Sequence, residues 1–206
     1  MKKTVLLIVG IVVAVALFIG VYFLYGALKD SYAPDLFSPP DVHETQEETD
    51  NADGTSDEIG EDEPSEPEDF KAPDFTVLNE EGEEVKLSDY FGKPIVLNFW
   101  ATWCYYCKEE MPDFNRAYKE HPEVQFLMVN ATDGVRETVE KAETYIDEQG
   151  FEFPVVYDTT QQAVYTYYVT GFPCTYFIDK DGNLVTYANG MLSYDNLVKG
   201  IGFITQ

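Results

Sequence analysis

The sequence predicts an α/β sandwich: a mixed central sheet flanked by helices, with an N-terminal β-hairpin, behind one N-terminal transmembrane helix. Three observations predict it. An uncharged apolar run, Thr4–Leu28, opens the chain. An acidic stretch poor in apolar residues follows it. From residue 71 onward, strand-like apolar runs alternate with amphipathic helical ones, and a hairpin and a helix close the chain.

Residues 1–28 read as an N-terminal anchor. Twenty-five helical residues would span roughly 37 Å at about 1.5 Å each, enough to cross a bilayer with some tilt. A cleaved signal peptide has a shorter apolar core, about 7–15 residues, and a small-residue cleavage site. This run is longer and ends in Tyr22-Phe23-Leu24-Tyr25, aromatic residues suited to a membrane interface. No Cys precedes Cys104, which excludes a lipidated N-terminal cysteine. Lys2 and Lys3 precede the span and acids follow it, so the N-terminus is expected in the cytoplasm and the rest outside, as a single-pass cell-membrane protein.

Residues 29–70 read as a disordered tether. Asp30–Phe70 holds sixteen Asp or Glu and no Lys or Arg, with Pro34, Pro39, Pro40, Pro64 and Pro67 among them. Such a stretch buries too little apolar surface to offset chain entropy, and its charges repel. Acidic runs can bind calcium, but nothing here has EF-hand spacing.

Residues 71–206 read as one domain. Asp74–Val77 and Glu84–Lys86 flank the turn Asn79-Glu80-Glu81-Gly82 as a hairpin. Ser88 is placed to cap a short helix ending near Gly92. Pro94–Ala101 is nearly continuous in apolar residues, as a central strand covered on both faces must be. Lys108–Glu120 sets Met111, Phe114 and Tyr118 at helical spacing and stops before His121-Pro122. Val124–Val129 is a second buried strand, and Arg136–Gln149 an amphipathic helix ended by Gly150. A strand at Val155–Tyr157 and a Tyr-rich helix from Gln161 to about Tyr168 follow. Thr175–Ile178 and Leu184–Ala188 pair through Asp179-Lys180-Asp181-Gly182, and Ser193 opens a last helix, Tyr194 to about Ile201.

The whole chain carries a formal charge of −25, and residues 71–206 alone have 22 acids against 10 bases, a net of −12. Charge attraction to nucleic acid or to anionic lipid is thereby excluded, and protein or small-molecule partners are expected. The three cysteines all lie beyond residue 100. They are too few for a structural disulfide framework, and Cys104 and Cys107 form one close pair with Cys174 left over. Two thiols separated by two residues can close a disulfide when the first sits at a helix start. There the unpaired amides and the helix dipole also favour the thiolate of Cys104, and Cys107 lies one turn on. Zinc would need about four ligands, and no second C-x-x-C accompanies this one; a c-type haem site would need His where Lys108 stands. Two buried cysteines that fall at this spacing by chance are the plain alternative.

Several segments together resemble the thioredoxin superfamily, and more narrowly its TlpA/ResA-like membrane-anchored thiol-disulfide oxidoreductases. They are Ala72-Pro73-Asp74-Phe75, Val85-Lys86-Leu87-Ser88-Asp89, Gly92-Lys93-Pro94, Asn98 through Cys104, Glu110-Met111-Pro112 and Gly171-Phe172-Pro173-Cys174-Thr175. The chain departs from the family pattern at Tyr106, where Pro is usual, and at Cys174, where Thr is usual.

The resemblance implies a thioredoxin-like fold and an extracytoplasmic enzyme that exchanges disulfides with protein thiols. Cys104 would attack a substrate disulfide and Cys107 would resolve the mixed disulfide. No cofactor is implied beyond the redox-active Cys104–Cys107 disulfide, and no metal. Pro173 would lie in a cis-proline loop facing the cysteines, with the Phe172 backbone free to pair with an extended substrate. Trp103, Tyr105 and Tyr106 would offer apolar surface to a partner. Glu110 matches an acid that the family sets near its thiols for proton transfer; an ordinary exposed helix acid is the alternative. Asn98 stands where thioredoxin itself carries a buried acid. Cys174 could be a buried apolar residue or a third redox thiol near Cys104.

A monomer acting as a reductant is expected, fed by a membrane thiol-electron transporter and serving cytochrome c maturation or the repair of oxidised surface proteins. Disulfide formation is the rival direction. A peroxiredoxin-type peroxidase would require Thr where Ala101 stands, and a tethered, non-enzymatic binding module would not need Cys104 at all.

Overall fold

A computed structural model describes residues 70–206 together with the two-residue strand Phe37–Ser38. The expected membrane helix over 4–28 and most of the expected tether over 29–70 lie outside the described residues. Among the described residues, no helix is long and apolar enough to cross a membrane.

The strands are β1 (Phe37–Ser38), β2 (Thr76–Leu78), β3 (Glu84–Lys86), β4 (Ile95–Trp100), β5 (Gln125–Asn130), β6 (Val155–Tyr157), β7 (Cys174–Ile178) and β8 (Leu184–Asn189). They form one mixed sheet in the order β1-β8-β7-β4-β5-β6-β2-β3. β4, β5 and β6 run parallel, while β7 pairs antiparallel with β4 and with β8. The helices are α1 (Tyr105–Glu120), α2 (Val139–Gln149), α3 (Gln162–Thr166) and α4 (Tyr194–Ile204), with a 3₁₀ turn at Leu87–Tyr90. This is the thioredoxin-like α/β layout, with the β2–β3 hairpin added at one edge.

β4 explains why the sheet is covered on both sides. All six of its residues are buried, and its side chains alternate between two cores. Val96 and Trp100 face α1, α2 and α4, through Met111, Phe114, Ala142, Ile146, Leu197 and Ile201. Ile95, Leu97 and Phe99 face the other core, with Phe75, Val77, Leu87, Ala163 and Tyr167.

Element ends differ from the sequence reading where side chains capture backbone amides. α2 starts at Val139 rather than Arg136, because Asp133 Oδ1 accepts from the amides of Val135, Arg136 and Glu137 and Thr138 caps the helix. Ser88 does not cap its short helix. Its amide and hydroxyl instead donate to the Asp74 carboxylate at 3.0 and 2.9 Å, tying the turn to the start of the domain. α3 covers only Gln162–Thr166, since Gln161 and Tyr168 adopt positive φ of 60° and 49° and bound it on both sides. α1 reaches back to Tyr105, three residues before the expected start, and α4 runs on to Ile204.

Two glycines of α4 give opposite expectations. A β-carbon on Gly200 would fall well inside van der Waals contact of the Phe177 ring on β7, whereas one on Gly202 would meet nothing. Alanine gains up to about 1 kcal/mol of helix propensity over glycine, but overpacking a closed contact costs about 1–3 kcal/mol. Gly200→Ala should therefore destabilise the domain and Gly202→Ala should stabilise it by a few tenths to about 1 kcal/mol. Denaturant midpoints of the two variants check this, and a stabilised Gly200→Ala would refute the packing argument.

Candidate functional site

The site forms where β4 ends and α1 begins. After Trp100 the chain makes a tight turn, closed by the Cys104 amide donating to Ala101 O at 3.1 Å. Cys104 is the N-cap of α1, and its sulfur accepts from the Cys107 amide at 3.1 Å. A disulfide joins Cys104 to Cys107, with a Cα–Cα separation of 5.3 Å. Both cysteines are buried, Cys107 fully, while Cys104 keeps 6% exposure and is the more accessible of the two. That asymmetry suits an outer thiol that meets a partner and an inner thiol that does not.

Around Cys104 lie the aromatic residues singled out in the sequence. Trp103 is 40% exposed, and its ring makes an edge contact with Phe172 at 5.6 Å between centroids. The Arg136 guanidinium stacks on the indole, 3.8 Å from the Trp103 ring centroid. Tyr105 and Tyr106 are 65% and 59% exposed and touch each other edge to face. The Phe172–Pro173 bond is cis, and Pro173 leads directly into β7.

Glu110 is buried, at 1% exposure, and so is not a solvent-facing helix acid. Its Oε1 accepts from Asn98 Nδ2 at 2.9 Å, and its Oε2 accepts from the Leu192 amide at 2.8 Å. Asn98 Nδ2 also donates to Thr175 Oγ1 at 3.0 Å. The carboxyl thus ties α1 to β4 and to the loop before α4, and Asn98 carries the link on to β7. Burial is the dominant influence on Glu110 and pushes its pKa up to about 8, against the opposing hydrogen bonds from Leu192 and Asn98.

Cys174 lies on β7 opposite Phe99 and belongs to the core on the other face of the sheet from Cys104 and Cys107. It is free and buried, its thiol donates to Asn189 Oδ1 at 3.1 Å, and burial pushes its pKa up to about 11. Bridging it to Cys104 would require β7 to turn over. No group of three or more His, Cys, Asp or Glu suited to a metal gathers among the described residues.

The sequence gives no sign of Glu137. It looks like one more acid at the head of an amphipathic helix, yet it is fully buried. Its Oε1 accepts from the Thr102 amide at 2.9 Å and from Asn130 Nδ2 at 2.7 Å, and its Oε2 accepts from the Thr102 hydroxyl at 2.6 Å. Only the folded register of β5 against β4, with Asn130 opposite Trp100, brings these groups together.

The AhpC/TSA family model matches residues 69–187. The chain is 38% identical over 117 residues to the thiol-disulfide oxidoreductase ResA of Bacillus thuringiensis (strain Al Hakam), covering 56% of this chain and 65% of that protein. It is 37% identical over 128 residues to ResA of Geobacillus kaustophilus, covering 61% of this chain and 71% of that protein. Among solved structures, the exposed lipoprotein thioredoxin Etrx1 of Streptococcus pneumoniae superposes with a TM-score of 0.56 at 29% identity, over 63% of this chain and 98% of that one.

The raised Glu110 titration has a measurable consequence. The folded carboxyl holds its proton up to about pH 8, whereas the unfolded one releases it near its ordinary value of 4.5. Between those values the native state binds more protons. Stability should therefore fall as pH rises through this window, by about 1.4 kcal/mol per pH unit at most, and level off above it. Glu110→Gln should lose that slope. Denaturant midpoints at several pH values check this, and parallel profiles for the two proteins would show that Glu110 titrates normally.

Proposed function

The chain belongs to the AhpC/TSA family, and from that membership and the Cys104–Cys107 disulfide at the head of α1 we propose that it is a thiol-disulfide oxidoreductase of the ResA type. The observation that carries the reading is the pairing of a slightly exposed cysteine, Cys104, with a fully buried one, Cys107, at a helix N-terminus. The chain aligns with 65% of the length of the Bacillus thuringiensis relative.

In the reducing direction the Cys104 thiolate attacks one sulfur of a substrate disulfide and releases the other as a thiolate. Cys107 then attacks Cys104, freeing the second substrate thiol and leaving the enzyme disulfide. Two electrons pass to the substrate. Cys107 must give up a proton in the second step, and Glu110 sits one helical turn away on the same buried face of α1. Its pKa of about 8 lies close to that of a thiol, which suits proton exchange between the two. Trp103, Tyr105, Tyr106 and Phe172 would give the partner an apolar rim, and Pro173 would leave the Phe172 backbone free to pair with an extended substrate segment.

The domain plan that fits this role is an anchor over 1–28, an acidic tether over 29–70 and a catalytic domain over 71–206 outside the cytoplasm. Anchor length and flanking lysines support it. The partners would be protein thiols and disulfides there, with electrons drawn from a membrane thiol transporter.

The test is trapping. Cys104→Ser should reduce turnover of a protein disulfide to the uncatalysed rate, and Cys107→Ala should accumulate mixed disulfides with its substrates in native membranes. Wild-type turnover by Cys104→Ser would remove the nucleophile and with it the proposed chemistry.

A further inference from the structure

The segment between β5 and α2 has no part in the exchange chemistry described above, yet it meets the redox turn from both sides. Asp133 gathers three amides and fixes the backbone of 133–137. From that base Arg136 reaches out to cover the Trp103 ring, and Glu137 reaches in to bind Thr102. Thr102 is the second residue of the turn that closes from the Cys104 amide onto Ala101 O. Such a turn is less than about 7 Å across, so a carboxylate bound to its second residue lies close to Cys104. A backbone amide, an amide side chain and a hydroxyl thus converge on the two oxygens of the Glu137 carboxyl.

We propose that Glu137 is a positioning residue that also sets the redox poise of the site, its buried negative charge destabilising the Cys104 thiolate and so favouring the disulfide over the reduced pair. The inference deepens the functional reading, on which it rests, by giving the site a direction.

The physical argument concerns the two states of the couple. The disulfide is neutral, and reduction creates a thiolate wherever the pH allows Cys104 to ionise. A fixed negative charge nearby, in a region that excludes water, opposes that thiolate and leaves the disulfide untouched. Destabilising the reduced form lowers the reduction potential and makes the pair a stronger reductant. The α1 N-terminus acts in the opposite sense, as do the cations of this region, Arg136 and Lys108. Other titratable groups on the elements packed here include Tyr105, Tyr106, Cys107, Glu109, Glu110 and Asp113 on α1, Asp133 in the same segment, Glu140, Lys141 and Tyr145 on α2, and Cys174 and Tyr176 on β7; the loop Gly190–Leu192 contributes none. None of these is altered by the test, so their contributions cancel in the comparison.

Two substitutions separate charge from support. Glu137→Gln keeps the shape and an oxygen for the Thr102 and Asn130 donors but removes the charge. Thr102→Val keeps the charge and removes the hydroxyl that shares it. The full-length protein and both variants are equilibrated with reduced and oxidised glutathione, two glutathione thiols being oxidised for each Cys104–Cys107 disulfide reduced. Cys104 ionisation is followed in parallel by ultraviolet thiolate absorbance. Glu137→Gln should make Cys104 about tenfold more acidic and shift the equilibrium about tenfold toward the dithiol, which is about 30 mV, at pH values where Cys104 ionises. At pH values well below that ionisation the shift should vanish. Thr102→Val should move Cys104 acidity the other way.

A folded Glu137→Gln protein with unchanged thiol titration and potential would overturn the proposal. So would shifts of the same sign in both variants, which indicate loosening of the turn rather than loss of charge. Should Glu137→Gln not fold, the sign of the Thr102→Val change decides alone, an increase in acidity or no change counting against. Absence of exchange with any protein disulfide in the wild type would instead sink the functional reading, while the thiol titration still reports on the charge.

Discussion

The structure depends on β4 being buried on both faces. A strand in that position must pair on both edges, and it does so with β5 in parallel and β7 antiparallel, at six and five register positions. It can surface only at its ends. At its C-terminal end the chain turns once and starts α1, and the disulfide stands at that junction. The Cys104 sulfur therefore owes its position to the hydrophobic burial of the strand that precedes it.

Several polar groups lie inside that frame, among them Asn98, Glu110, Asn130, Glu137 and Asp158. Glu110 and Glu137 are both buried carboxyls, but they meet different surroundings. Glu110 is bound by one amide side chain and one backbone amide, and burial dominates its titration. Glu137 is bound by three donors at or below 2.9 Å. One suits the movement of a proton and the other suits a fixed charge. One lies on α1 and the other in the segment before α2, so they tie different elements to the frame around the disulfide.

Much of this was legible in the sequence because it follows from local pattern. The unbroken apolar run of β4, the helical spacing of Met111 and Phe114 and the turn at Asp179–Gly182 each fix an element without reference to the rest of the chain. The cysteine pair is legible for the same reason. What escaped is non-local. Asp133 looks like any loop acid until it is seen to hold three amides, and that capture is what delays α2 to Val139. Glu137 becomes a buried ligand only through strand register. The face on which Cys174 lies depends on the alternation of β7 counted from its pairing with Phe99, and the local sequence fixes neither.

The strand β1 changes the mechanics of attachment. Phe37 and Ser38 pair with Ala188 and Tyr187 of β8, and the chain returns to that same strand where the Leu184 amide donates to Phe70 O and Lys71 bridges Asn183. The chain thus meets β8 or the turn before it at two points, Phe37–Ser38 and Phe70–Lys71. For a chain held to a membrane through residues 4–28, as proposed, the spacer shortens from 29–70 to 29–36. Eight residues reach no further than roughly 28 Å even when fully extended. The standoff between enzyme and bilayer would then be short, confining its working range to partners whose disulfides lie near the membrane surface.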